Sequence, residues 1–142
     1  MAEHVLLPMD GSEQAQDALE HVLSEHADAR VTVLHVIDPA RATYGAQAGI
    51  PPSSEEWFES EGARAERLFE EVRERAEEAG VEVETTTEVG QPSRTIVEYA
   101  AEHDVDHVVI GSHGRKGLTR VLLGSVAELV VRRSPVPVTV VR

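Results

Sequence analysis

The sequence predicts an α/β fold in which one domain, residues 1–142, is built on a five-stranded, doubly wound parallel sheet with helices on both faces. Three observations support this prediction. Short apolar segments suited to buried strands alternate along the chain with longer segments of helical periodicity. A length of 142 residues suits one domain. About 41% of the residues are apolar, which is enough to form a substantial core.

The N-terminal part of the chain predicts two strands with a helix between them. Residues 4–9 form an apolar run too short for a helix, and residues 31–37 are rich in β-branched side chains. Ser12 is a suitable N-cap for the intervening helix. The apolar residues of this helix recur at intervals of three and four, namely Ala15, Ala18, Leu19, Val22 and Leu23. Residues 38–54 have no periodicity and predict a long, mobile loop.

The rest of the chain continues the alternation of helices and strands. Ser53 and Glu56 resemble a capping box and predict the start of a long helix, which Gly80 ends. Pro92 fits the first turn of the next helix. We predict helices over residues 53–79, from residue 92 onward and over residues 125–133, with strands over residues 81–89, 106–110 and 136–141.

The patterning of the strands predicts the order 3-2-1-4-5 in the sheet. The third strand alternates polar and apolar residues, as an edge strand with one wet face does, whereas strands one, two and four are apolar and suit the centre. In such sheets, ligands bind beyond the carboxyl ends of the strands where the winding reverses, here between strands one and four. Residues 10–12 and the loop that starts at Gly111 therefore meet at the predicted site.

The loop after the fourth strand has the features of a phosphate site. Gly111 allows a close approach of the backbone and Gly114 can adopt a positive φ. Gly124 and Ser125 open a helix whose N-terminal N–H groups favour an anion. Ser125 also fits a capping box with Glu128, in which case it only caps its helix. Three cations lie nearby in the sequence: Arg115, Lys116 and Arg120.

The net charge of −13 is unevenly distributed. Residues 1–110 carry 25 acidic and 7 basic side chains, whereas residues 111–142 carry one acidic and six basic side chains. The overall charge argues against nucleic-acid binding, which requires a basic surface. The basic C-terminal segment is compatible with a compact anion site. The asymmetry also fits the simpler interpretation that acidic helices face water.

The choice of charged residues raises a hypothesis about habitat. The chain has twenty glutamates and twelve arginines but a single lysine. An acidic surface of this kind suits the acidic proteome of a high-salt cytoplasm, because hydration and self-repulsion maintain solubility. A GC-rich genome would equally favour arginine over lysine.

Several classes of protein are excluded or not expected. Without cysteine, the chain has no disulfides, thiolate metal sites or cysteine nucleophiles. No stretch approaches the ~18 consecutive apolar residues of a membrane span, and residues 1–5 lack the start of a signal peptide. We therefore expect a cytoplasmic protein with no membrane contact. Residues 103–107 resemble a metal motif but span a helix end and a strand start, so we expect no metal ligands.

The spacing Gly111-x2-Gly114-x9-Gly124-Ser125 resembles the ATP-binding pattern of the universal stress protein family. The resemblance covers nearly the whole chain, through segments 8–12, 34–38, 108–114 and 134–138. It implies a Rossmann-like fold of the adenine nucleotide alpha hydrolase type and the binding of ATP, with ADP or AMP as alternatives. It also implies Mg²⁺, held mainly by phosphate oxygens and water.

The resemblance implies roles for individual residues. Pro8, Met9 and Asp10 match the end of the first strand beside adenine and ribose, where a carboxylate accepts hydrogen bonds from hydroxyl or amino groups. Val36 matches a position whose backbone meets adenine. The remaining matches lie in the loop and helix that surround the ribose and phosphates: Gly111, His113, Gly114, Arg115, Gly124, Ser125 and Val126.

The resemblance also implies a homodimer formed through the last strand, residues 136–141. Relatives pair this strand with the same strand of a second chain. An apolar edge strand is an aggregation hazard unless it is covered, and Pro137 is tolerated on an edge.

The preferred interpretation is a nucleotide-dependent stress-response or signalling module with no catalytic residues. One alternative is a slow ATPase or nucleotide-dependent phosphotransferase in which Asp10 or His113 acts as a base. No dedicated catalytic set is visible, and we interpret His113 as a ligand contact. Another alternative is a nucleotide-free protein-interaction module, against which the intact glycine pattern argues.

Overall fold

A computed structural model of the chain describes residues 2–41, 55–112 and 123–142. In these residues strands and α-helices alternate, with a short 3₁₀ turn, Pro39–Arg41, after the second strand. The strands are β1 (His4–Pro8), β2 (Arg30–Ile37), β3 (Val83–Val89), β4 (His107–Gly111) and β5 (Val138–Val141). The helices are α1 (Glu13–Glu25), α2 (Glu55–Ala79), α3 (Pro92–Glu102) and α4 (Ser125–Arg133).

The strands form one parallel sheet in the order β3-β2-β1-β4-β5. This order confirms the predicted α/β class and the predicted order 3-2-1-4-5. The register places Val5 of β1 beside Val31 of β2 on one side and beside His107 of β4 on the other. The winding of the sheet reverses between β1 and β4, which opens a crevice at the carboxyl ends of the central strands.

Two apolar layers hold the helices to the two faces of the sheet. On one face, Phe69 of α2 belongs to the same buried cluster as Val5 of β1. On the other face, Val130 of α4 belongs to the same buried cluster as Leu6. Val5 and Leu6 enter opposite layers because consecutive side chains of a strand alternate between its faces. The doubly wound arrangement is thereby confirmed.

The strands β3 and β5 are both shorter than predicted, for local reasons. At the end of α2, Gly80 has a φ of +72° and the N–H of Val81 donates to the carbonyl of Ala76 at 2.9 Å, so Val81 belongs to the helix terminus. Before β5, Ser134 Oγ accepts the N–H of Val136 and donates to its carbonyl. This turn keeps Val136 out of the sheet.

The longest helix, α2, has 25 residues, and ten of them are glutamates. Across residues 2–41, 55–112 and 123–142, none of the helices combines the length and the apolar character that a membrane crossing requires. The predicted start of α2 at Ser53 lies outside the described residues, and the described helix begins at Glu55.

Candidate functional site

A cleft of about 290 Å³ lies at the carboxyl ends of β1, β2 and β4, where the winding of the sheet reverses. Seven of the predicted site residues line it: Pro8, Met9, Asp10, Val36, Gly111, Ser125 and Val126. Gly124 precedes Ser125 as the N-cap residue of α4. The other predicted site residues, His113, Gly114 and Arg115, lie outside the described residues, as do residues 42–54 of the predicted loop.

Asp10 follows β1 and stands exposed at the wall of the cleft. Its Oδ1 accepts the N–H of Ser12 at 2.9 Å, which closes a turn over Gly11, where a φ of +82° favours glycine. Ser12 Oγ in turn accepts the N–H of Ala15 at 3.1 Å and caps α1, as predicted. This turn carries the chain away from the sheet and leaves a carboxylate at the cleft.

His35 fixes the end of β1 from the neighbouring strand. Its Nδ1 donates to the carbonyl of Met9 at 2.8 Å, and the side chain is buried. The N–H of Met9 donates to the carbonyl of Leu34, also at 2.8 Å. His35 is therefore a core histidine with its hydrogen bond satisfied, and it also lines the cleft.

The backbone of Val36 faces the space that β1 leaves where it ends. Within a parallel strand, the N–H and C=O groups of one residue point to the same side, and this side alternates along the chain. The carbonyl of Leu34 accepts from Met9, so Leu34 faces β1, whereas the carbonyl of Ile37 accepts from Gly90 at 2.9 Å on the β3 side. Val36 therefore faces the same side as Leu34, beyond the last residue of β1.

The N-terminus of α4 borders the cleft and is not capped by a side chain of the described residues. Gly124 is the N-cap residue, with φ −63° and ψ 157°. The N–H of Glu128 donates to the carbonyl of Gly124 at 2.9 Å, and its side chain pairs with Arg132. The alternative in which Ser125 caps the helix with Glu128 is therefore wrong, because Ser125 is the first helical residue. Ser125, Val126 and Ala127 of the first turn line the cleft, so the N-terminal end of α4 and its partial positive charge border it.

Gly111, the last residue of β4, lines the cleft and packs directly against the backbone of α1 at Gln14 and Ala15. The close approach that the sequence predicts at this glycine is therefore an approach to the protein's own backbone.

Two charged residues that are not among the predicted site residues, Asp38 and Arg41, also line the cleft. Asp38 stabilises the 3₁₀ turn after β2. Its Oδ1 accepts a hydrogen bond from the N–H of Ala40 at 2.9 Å, and its backbone carbonyl accepts one from the N–H of Arg41 at 3.0 Å. The turn places Arg41 at the cleft. One signal is present in the sequence, since Arg41 is the sole lysine or arginine between Arg30 and Arg64.

The chain resembles proteins of one family along its full length. The pattern of the universal stress protein family matches residues 1–142. Universal stress protein MJ0531 of Methanocaldococcus jannaschii is 34% identical over 140 residues, which cover 97% of this chain and 81% of that protein. Universal stress protein MJ0577 of the same organism is 35% identical over 156 residues, which cover 100% of this chain and 96% of that protein.

Solved structures agree with the sequence comparison. The structure of MJ0577 superposes with a TM-score of 0.79 at 34% identity and covers 99% of this chain and 96% of its own. A universal stress protein solved in complex with cAMP has a TM-score of 0.68 at 26% identity and covers 99% of this chain and 96% of its own. From its sequence and its fold, the chain belongs to the universal stress protein family.

Proposed function

We propose that this protein binds an adenine nucleotide, ATP in the first place, and acts as a nucleotide-dependent stress-response or signalling module. The observation that carries the proposal is the meeting of three groups at one cleft: the backbone of Val36, the carboxylate of Asp10 and the N-terminus of α4. These groups suit the base, ribose and phosphates of one ligand. The relative solved with cAMP supports an adenine nucleotide as the ligand class.

The base is assigned to the β2 side of the cleft. The N–H and C=O of Val36 form a donor and acceptor pair, and adenine offers the complement, an amino donor beside a ring nitrogen acceptor. Leu34, Ile96 and Ile110 line the same cleft and provide apolar walls for a flat ring. Small-molecule sites usually occupy roughly 300–1,000 Å³. The cleft lined by the described residues, at about 290 Å³, lies at the lower limit of this range.

The ribose and phosphates are assigned to the opposite side. Asp10 can accept hydrogen bonds from ribose hydroxyls, because a carboxylate is an acceptor with several lone pairs. The N-terminus of α4 suits the phosphates, and Gly124 has no side chain to obstruct them. Arg41 adds a cation at the cleft. The family spacing supports His113, Gly114 and Arg115 as further contacts, with Mg²⁺ held mainly by phosphate oxygens and water.

The proposal extends to a cytoplasmic homodimer formed through β5. This strand is the last of the sheet and its side chains are half-buried. An unpaired strand edge is a template for pairing, and a copy of itself would cover it about a two-fold axis. The net charge of −13 supports a protein partner over nucleic acid.

The alternative of an enzyme has less support. Hydrolysis of ATP requires a placed water, a base and stabilisation of charge in the transition state. Asp10 is the predicted base that lies among the described residues, and its carboxylate is already assigned to the N–H of Ser12 and to the ribose. We therefore propose a binding protein. Release of phosphate from ATP by the purified protein, lost in Asp10→Asn, would favour the enzyme instead.

Equilibrium binding of ATP to the native protein and to two matched variants tests the proposal. Gly124→Leu places a side chain at the start of α4, where φ −63° and ψ 157° suit any residue. Gly62→Leu makes the same change on α2, where an added Cβ meets nothing within 4 Å. We expect at least roughly tenfold weaker binding, about 1.4 kcal/mol, in Gly124→Leu and native affinity in Gly62→Leu. Equal affinity in all three proteins would reject the proposed phosphate position. Absence of binding in all three would favour a nucleotide-free interaction module.

A further inference from the structure

A second group of side chains that can bind a ligand lies at the amino ends of the strands, opposite the cleft at their carboxyl ends. Glu3, His26 and His107 bring one carboxylate oxygen and two imidazole nitrogens within 4.8 Å of one another. Glu3 precedes β1 and His107 begins β4, so both lie at the amino ends of strands. We propose that these three residues bind a divalent transition-metal ion, for which Zn²⁺ is the best match.

The distances between the ligand atoms suit such an ion. His26 Nδ1 lies 2.9 Å from Glu3 Oε1, and His107 Nδ1 lies 3.7 Å from Glu3 Oε2. In a tetrahedral site with Zn–N and Zn–O bonds of about 2.0–2.1 Å, ligand atoms are about 3.3 Å apart. The two distances lie on either side of this value, although they end on the two different oxygens of Glu3. One carboxylate oxygen lies within 4.8 Å of a nitrogen of each histidine, so a small movement of the side chains closes the site. Two imidazoles and a carboxylate are a donor set that Zn²⁺ accepts, with water in the fourth position.

The fold places the three side chains on one face of the sheet. Val5 and Val109 belong to the apolar layer beneath α1. Glu3 and His107 lie two residues before them, so their side chains turn to the same layer. His26 is the C-cap residue of α1, and its backbone N–H is bonded within the helix. Helix α1 therefore ends above the starts of β1 and β4.

A neighbouring strand orients one of the ligands. His107 Nε2 lies 2.7 Å from Thr139 Oγ1 on β5. When Nε2 donates its proton to this hydroxyl, Nδ1 is left unprotonated and turned to Glu3, which is the usual arrangement of a metal-binding histidine. The side chains of His26 and His107 are 14% and 20% exposed, so their rings have little freedom. The C-terminal end of α1 adds negative partial charge, which favours a cation.

Of the local motif at residues 103–107, from which no metal ligands are expected on sequence alone, the proposed site includes only His107. His103 turns away: its ring stacks on Tyr99 at 3.8 Å, and its Nδ1 lies 3.1 Å from the carbonyl of that residue. Glu3, His26 and His107 do not line the nucleotide cleft, so the metal proposal does not depend on the proposed function. A bound ion would connect the end of α1 to the starts of β1 and β4.

Calorimetric titration of Zn²⁺ into untagged, metal-free and nucleotide-free protein tests the proposal. We expect one ion per chain, and at least roughly tenfold weaker binding in Glu3→Gln and in His26→Asn, each of which loses a ligand. Thr139→Val keeps all three ligands and is expected to bind roughly tenfold more weakly through loss of orientation alone. His103→Asn is the matched control and is expected to retain native affinity.

A second readout separates lost binding from lost folding. Zn²⁺ is expected to raise the unfolding midpoint of the native protein and of His103→Asn, since a ligand of the folded state stabilises it. At the same Zn²⁺ concentration it is expected to raise the midpoint of Glu3→Gln distinctly less, although this variant without metal unfolds near the native midpoint. Failure of the native protein to bind one Zn²⁺ per chain would overturn the proposal, as would native affinity in Glu3→Gln and His26→Asn. The three side chains would then form an ordinary hydrogen-bonded cluster.

Discussion

A Cβ atom on Gly111 would lie 2.4 Å from the carbonyl oxygen of Gln14, well inside van der Waals contact. The atoms in the way belong to the backbone of α1, which cannot move aside as the end of a flexible side chain can. Glycine at this position therefore allows β4 to pack against the first turn of α1. This helical turn directly follows the turn that places Asp10 and Ser12. The glycine pattern thus serves the fold as well as the site.

We predict that Gly111→Ala lowers the free energy of unfolding by about 1–3 kcal/mol, the usual cost of an overpacked contact. Urea denaturation of the purified variant measures this change. Gly62→Ala is the matched control, because its Cβ meets nothing and alanine is favoured over glycine inside a helix by roughly 0.5–1 kcal/mol. An unchanged stability in Gly111→Ala would contradict the observed contact with Gln14.

We predict that Asp10→Asn weakens ATP binding roughly tenfold, because a charge-assisted hydrogen bond to the nucleotide becomes a neutral one. Asparagine keeps an oxygen that can accept the N–H of Ser12, so the turn before α1 remains intact. Whether ATP binding weakens or tightens in the variant shows which part of the nucleotide lies beside the carboxylate of Asp10. Tighter binding in the variant would mean that Asp10 repels the phosphates and does not contact the ribose or the base.

We predict that Val140→Pro dissociates the proposed dimer. Val141 faces β4, since its carbonyl accepts the N–H of Ser112 at 2.7 Å, so the N–H of Val140 points away from β4 to the free edge. Proline removes that donor without removing a bond to β4. Val140→Ala is the control, because it loses the same packing but keeps the N–H. Sedimentation that gives the same mass for both variants would contradict pairing through β5.

We predict that the unfolding midpoint continues to rise in KCl beyond 1 M if the acidic surface is an adaptation to salt. Ordinary screening reduces the Debye length from about 10 Å at 0.1 M to 3 Å at 1 M, so repulsion within the charge of −13 is largely removed by then. A midpoint that stops rising near 1 M would indicate simple screening, and the habitat hypothesis would then be wrong.

The order of elements and the position of the cleft could be predicted because local signals agree with the fold. Ser12 caps α1 as its side chain predicts, and the apolar strands occupy the centre of the sheet. The ends of strands were less predictable where a local hydrogen bond replaces a hydrogen bond between neighbouring strands. Ser134 holds Val136 in a turn, although residues 136–141 have the composition of a continuous strand.

Other features depend on tertiary structure, and local patterns in the sequence do not determine them. Ser125 and Glu128 fit a capping box, yet Gly124 occupies the cap position and Glu128 pairs with Arg132. Arg41 reaches the cleft through a 3₁₀ turn in a segment with no periodicity. Glu3, His26 and His107 are brought together by the pairing of β1 with β4 and by the length of α1, so no spacing in the sequence predicts their cluster.

Nucleotide binding is tested most directly by denaturing the purified protein and identifying the small molecule that it releases. We expect the native protein to release an adenine nucleotide, close to one per chain after incubation with ATP, and Gly124→Leu to release little. A native protein that releases no adenine nucleotide even after incubation with ATP would contradict the proposed nucleotide site.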